Sequence, residues 1–144
     1  MKIADLLVDK GRIVISISPG DTIAAAARLL LEKGIGAIVV RDRLGKLVGI
    51  LSERDIVRGL ALQGGVVTTL KVADLMTTAV TTGTPQDTVK DVMETMTLRR
   101  IRHLPVVDNG ALIGVISIGD VLKSRLEERG QEVAVLRDIS LVRA

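Results

Sequence analysis

Two short segments carry the side chains best suited to chemistry in this sequence, Ser52-Glu53-Arg54-Asp55 and Ser117-Ile118-Gly119-Asp120. Each follows a short apolar run and precedes residues of helical periodicity, so the serine and the aspartate fall where a strand ends and a helix begins. A carboxylate at such a place can accept two hydrogen bonds from the 2′ and 3′ hydroxyls of a ribose. The serine hydroxyl and the N–H groups of the first helical turn can meet a phosphate. The same spacing describes a capping box, in which the serine caps the helix and the acid three residues later reaches back. An acid in the first turn also favours the helix dipole. Spacing alone leaves both uses open.

Cations precede the second segment: Arg99, Arg100, Arg102 and the single histidine, His103. Adjacent cations can form an anion site, and they equally suit the solvated C-terminal end of a helix, where they complement the dipole. In the first segment Arg54 either supplies charge to a ligand or faces solvent beside Glu53. One histidine and no cysteine exclude a two-histidine or thiolate metal site and leave few options for general-base chemistry. Phe, Tyr and Trp are absent, so a ligand's ring would have to lie against aliphatic side chains or backbone. No Ser–His–Asp order, Walker loop or Gly-x-Gly-x-x-Gly fingerprint is present. Gly34-Ile35-Gly36 stands in front of a strand, the reverse of the dinucleotide-binding order. These absences point to a protein that is not an enzyme.

The elements that hold these residues come in two copies. Asp21-Thr22-Ile23 recurs 66 residues later as Asp87-Thr88-Val89. The apolar stripe Ile23, Ala26, Ala27 and Leu30 recurs as Val89, Val92, Met93 and Met96, with the spacing of an amphipathic helix. Ile38-Val39-Val40 aligns with Leu104-Pro105-Val106, and Leu47-Val48-Gly49-Ile50 with Leu112-Ile113-Gly114-Val115. Arg43 is the one-residue difference, in a hairpin turn at Leu44-Gly45 whose counterpart is Asn109-Gly110. A strand is expected ahead of each first helix, near Arg12 to Ser16 and Ala79 to Thr82. Each copy is therefore strand, helix, strand, hairpin turn, strand, helix. A unit of about 50 residues is marginal alone, so the two copies are expected to pack together. Ala61 to Leu70, with Gly64-Gly65, is expected to be a linker. Short helices from Ile3 to Val8 and from Lys71 to Met76 would lead into the copies.

The chain has 144 residues, 47% of them hydrophobic, and a net charge of +3. A nucleic-acid binder of this size would show a denser basic stripe and, for single strands, stacking aromatics. No apolar run is long enough to span a membrane. The charged start, Met1 to Lys10, lacks a signal-peptide core, which makes cytoplasm the expected compartment.

Residues 1–126 resemble a pair of cystathionine-β-synthase (CBS) domains, or Bateman module. The resemblance rests on Gly49-Ile50-Leu51-Ser52-Glu53-Arg54-Asp55, on Gly114-Val115-Ile116-Ser117-Ile118-Gly119-Asp120, and on the run Arg100 to Asp108. It implies an α/β (α+β) fold of two βαββα repeats related by a pseudo-twofold axis. The first domain would span residues 1–63 and the second 64–126, each with its lead-in helix, followed by a helical tail over 127–144. It further implies two clefts for AMP, ADP, ATP, NAD or S-adenosylmethionine as a regulatory ligand, with no catalytic cofactor. Homodimerisation and an unidentified protein partner are implied too. In family members the matching serine and aspartate contact the ribose and phosphate, which assigns Ser52, Asp55, Ser117 and Asp120. Residues at the positions of Arg102 and His103 approach the phosphates or the base. The adenine would lie on the first strand of each copy, at Thr77, Thr78 and Ala79 in the second and Gly11, Arg12 and Ile13 in the first. Gly36 and Ala37 replace the two cations in the first copy, so the second is expected to hold phosphate better. The alternatives are a structural dimerisation module or a nucleic-acid-binding protein without a small-molecule ligand.

Overall fold

The structure, a computed structural model, describes residues 1–10 and 14–129. Its first half runs α1 (Ile3–Lys10), β1 (Ser16–Ile17), α2 (Ile23–Lys33), β2 (Ala37–Arg41), β3 (Leu47–Ser52) and α3 (Glu53–Gln63). A 3-10 turn (Gly64–Thr69) leads to α4 (Val72–Leu75), α5 (Val89–Arg99), β4 (His103–Asp108), β5 (Ala111–Ser117) and α6 (Ile118–Glu128). Of the tail expected over 127–144, residues 127 and 128 complete α6, and those from Gly130 on lie outside the described residues.

Matching residues start and stop the first helix of each repeat. Thr22 and Thr88 cap α2 and α5, their hydroxyl oxygens accepting from the amides of Ala25 and Asp91 at 3.1 Å. Ile23, Ala26 and Leu30 are buried along α2, as are Val89, Val92 and Met96 along α5. The stripe is narrower than the sequence pattern suggests: Ala27 is exposed and Met93 only half-buried. Three positions at i, i+3 and i+7 suffice to face the sheet. Both helices end on a left-handed residue, Gly34 at φ 62° and Arg100 at φ 56°.

Strands β2 and β3 pair antiparallel, with Val39 opposite Ile50 and Val40 opposite Gly49. Strands β4 and β5 repeat this, with Pro105 opposite Val115 and Val106 opposite Gly114. Asn109 (φ 50°) and Gly110 (φ 81°) turn the second hairpin, as a two-residue turn with both φ values positive requires. In the first hairpin Asp42 Oδ1 accepts from the amides of Leu44 and Lys46, both at 2.9 Å, and Gly45 takes φ 79°. The strand expected near Arg12 to Ser16 is shorter and later: β1 is two residues long and pairs parallel with β2. The one expected at Ala79 to Thr82 is a single parallel bridge from Gly83 to Val106. The expected linker is also ordered structure. Helix α3 extends to Gln63, and the 3-10 turn buries Val67 in the core around Ile23, Ile38 and Leu51.

The chain divides into two compact units, Val14–Val80 and the remainder from both ends. The lead-in helices explain this division. Helix α1 precedes the first repeat, yet Ile3 and Leu7 are buried with Val89, Met96, Leu104 and Ile116 of the second. Helix α4 precedes the second repeat, yet Val72 is buried with Ile23, Leu30 and Leu51 of the first. The hydrogen bonds match one for one. Ile3 N–H donates to the Asp87 carbonyl at 2.9 Å, and Val72 N–H donates to that of Asp21 at 2.8 Å. Val89 N–H donates to Met1 O at 3.0 Å, and Ile23 N–H donates to Leu70 O at 2.9 Å. Each fully buried aliphatic side chain stabilises by about 1.5–3 kcal/mol, so both lead-ins are firmly seated.

Candidate functional site

Both Ser-x-x-Asp segments form complete capping boxes. Ser52 N–H donates to Asp55 Oδ2 at 2.9 Å, and Asp55 N–H donates to Ser52 Oγ at 3.2 Å. In the second repeat Ser117 N–H donates to Asp120 Oδ2 at 2.9 Å, and Asp120 N–H donates to Ser117 Oγ at 3.1 Å. All four residues are half-buried. The cap therefore forms in both repeats.

A feature that the spacing did not reveal closes more of the first turn. Glu53 N–H donates to the Gly36 carbonyl at 2.9 Å, and Ile118 N–H donates to that of Arg102 at 2.8 Å. The first and third amides of α3 and α6 are thus engaged, which leaves at most those of Arg54 and Gly119 in that turn for an added anion. These bonds also tie the residues just ahead of β2 and β4 to the capping boxes. The sequence signal was there: Gly36 and Arg102 occupy the same position in the two copies.

The second repeat brings four of the expected residues together at one end of the β4–β5 hairpin. His103 lies directly opposite Ser117 in the strand register. Arg102 is joined to the start of α6 through its carbonyl, and Asp120 is joined to Ser117 through the cap. His103 is half-buried and Arg102 exposed. In the first repeat Ala37 lies opposite Ser52, so the equivalent place carries no cation. Arg54 is exposed on the first turn of α3.

Thr77 belongs with the first repeat. Its N–H donates to Ile50 O at 2.9 Å and its carbonyl accepts from Ile50 N–H at 3.0 Å, two residues before Ser52. Helix α4 thus carries Thr77, expected from the sequence to serve the second copy, onto β3 of the first. Both backbone groups of Thr77 are committed to that bridge. Thr77, Thr78 and Ala79 are all exposed. The counterparts Gly11, Arg12 and Ile13 lie outside the described residues.

Two glycines make the close approach of the lead-ins possible. A Cβ on Gly49 would stand 2.6 Å from Met76 Sδ and 3.0 Å from the Thr77 carbonyl oxygen. On Gly114 it would stand 2.5 Å from Leu7 Cδ2. Each glycine lies three residues before a capping serine and so fixes where a lead-in crosses the sheet. Among the described residues, no group of three or more His, Asp and Glu could hold a metal ion, and no helix is long and apolar enough to cross a membrane.

The fold has counterparts among known proteins. The chain is 34% identical over 139 residues to the CBS domain-containing protein CBSX3, mitochondrial, of Arabidopsis thaliana, covering 91% of this chain and 68% of that one. A solved CBS-domain protein from Agrobacterium tumefaciens is 44% identical with a TM-score of 0.84, over 86% of this chain and 92% of that one. The CBS-domain pair of protein MJ0100, solved in complex with 5′-methylthioadenosine and S-adenosyl-L-methionine, is 27% identical with a TM-score of 0.77. That likeness covers 90% of this chain and 98% of that one. The family model for the CBS domain matches twice, over residues 7–62 and 72–127. With a helix, a β-hairpin and a second helix repeated under each match, the chain belongs to the CBS-domain family and carries two such domains in tandem.

Proposed function

We propose that this CBS-domain pair is a non-catalytic regulatory module that binds an adenine nucleotide or a related adenosine compound. AMP, ADP or ATP, NAD and S-adenosylmethionine are the candidate ligands. The observation that carries the reading is the cluster at the second repeat's hairpin end, where His103 faces Ser117 and Ser117 is locked to Asp120. An aspartate held at a helix start is suited to a ribose diol, and Arg102 with His103 supplies charge for a phosphate. The MJ0100 pair, solved with two adenosine compounds, supports the ligand class. The first repeat offers Ser52 and Asp55 with the exposed Thr77, Thr78 and Ala79 and has Gly36 and Ala37 in place of the cations. That set suits a ligand with an uncharged 5′ group.

Homodimerisation is part of the same proposal, with cytoplasm as the compartment. Exposed apolar residues on the first repeat's helices support self-association: Leu31 is 83% exposed and Val57 64%. They also favour the second reading, a dimerisation module without a ligand.

Calorimetry with AMP, ATP, NAD and S-adenosylmethionine separates the two. Asp120→Asn keeps an oxygen for the Ser117 amide and removes the charge, so it is expected to weaken nucleotide binding while the fold persists. Arg102→Ala is expected to weaken ATP more than 5′-methylthioadenosine. If none of these compounds binds the intact protein, the nucleotide reading fails.

A further inference from the structure

Arg100 occupies a position that an L side chain rarely adopts. It ends α5 at φ 56°, and its N–H bonds the carbonyls of Met96 and Thr97. In the first repeat the same position is Gly34, at φ 62°, with equivalent bonds to Leu30 and Leu31. Glycine meets that conformation without the steric penalty that Cβ brings. The helix dipole does not call for this arginine. Arg99 already places a cation in the last turn of α5, as Lys33 does in α2, where glycine follows. Arg99, Arg100 and Arg102 are all exposed, and neither Arg99 nor Arg100 forms an ion pair with another described residue. A strained conformation with no internal partner is the kind of outlier that marks a working surface.

We infer that the turn from α5 into β4 is a docking surface for an acidic segment of a partner polypeptide, with the guanidinium groups of Arg99 and Arg100 receiving its carboxylates. Planar guanidinium forks match carboxylates in two-point contacts. Nucleic acid fits the surface poorly. The cations are confined to one turn and do not track along a backbone, and the chain has no aromatic residue on which a base could stack. The surface uses Arg99 and Arg100, which the proposed nucleotide site does not require.

The experiment measures binding of a labelled glutamate-rich peptide to the full chain by fluorescence anisotropy at low and moderate salt, with duplex DNA as the competing probe. The variants are Arg100→Gly, Arg99→Gln with Arg100→Gly, and a charge-matched control, Arg28→Gln with Lys33→Gln on the first repeat. Arg100→Gly is expected to raise the Tm by about 2–4 °C while weakening the peptide. The double variant is expected to lose about three- to tenfold in affinity, and the control to bind as the parent does. Three results would overturn the inference: no peptide binding by the parent, equal weakening by the control, or a preference for DNA over the peptide.

Discussion

Replacing Gly49 by alanine tests how the lead-in of one repeat is seated on the sheet of the other. Gly49 has an ordinary negative φ, so alanine suits its backbone and, by restricting the unfolded chain, would stabilise by about 0.5–1 kcal/mol in open space. The space is not open. The new methyl would lie 2.6 Å from Met76 Sδ, 3.0 Å from Met76 Cγ and 3.0 Å from the Thr77 carbonyl oxygen. Met76 is an adaptable side chain and can move its sulfur. The carbonyl cannot yield so easily, because it accepts the Ile50 amide at 3.0 Å. Overpacking of this kind costs about 1–3 kcal/mol. The net expectation is a loss of about 1–2 kcal/mol, or a Tm lower by about 3–6 °C. Thermal unfolding measures the loss, and hydrogen exchange locates it at the Ile50 and Thr77 amides. A variant as stable as the parent, with both amides still protected, would refute the account of Gly49 as the crossing point.

Gly114→Ala is the matching change in the second repeat. It meets only the end of Leu7, 2.5 Å away, so it should cost less, about 1 kcal/mol, and raise exchange at the Ile3 and Ala4 amides while leaving those of Val14–Val80 unchanged. Ser52→Ala and Ser117→Ala each remove a helix cap and should each lower stability by about 1 kcal/mol in urea unfolding. Because these caps lie in separate units, the double variant should show the sum of the two losses, and a clearly smaller or larger loss would mean that the caps are coupled.

Most of the fold was legible because the sequence states it twice. The apolar stripes of the two first helices and the turns at Gly45 and Gly110 each have a local meaning, and the structure uses them accordingly. Legibility failed where the answer depends on residues distant in sequence. Nothing in the spacing of Ile3 and Leu7 says which sheet they cover, and proximity in sequence suggested the wrong one. The same crossing bonds Thr77 to Ile50 of the first repeat, although it precedes the second in sequence. The first strands were hard to place because a parallel pairing of one or two residues leaves no alternating pattern. At the candidate site, spacing offered cap or ligand for the serine and aspartate. The cap is formed in both repeats. Arg100 was visible as a cation, but its left-handed backbone was not, since sequence rules expect glycine there.

The exchanged lead-ins bear on what a single repeat could be by itself. Cut from the chain, one repeat would carry a lead-in helix with no sheet to cover and a sheet lacking the lead-in that completes its cover. Two such fragments could satisfy each other only by trading helices, and their pairing would weaken on dilution. Joining them in tandem makes the trade intramolecular, with a local concentration of about millimolar where the tether is short. In this protein the duplicated sequence thus replaces a dilution-sensitive partnership with one that holds at any protein concentration.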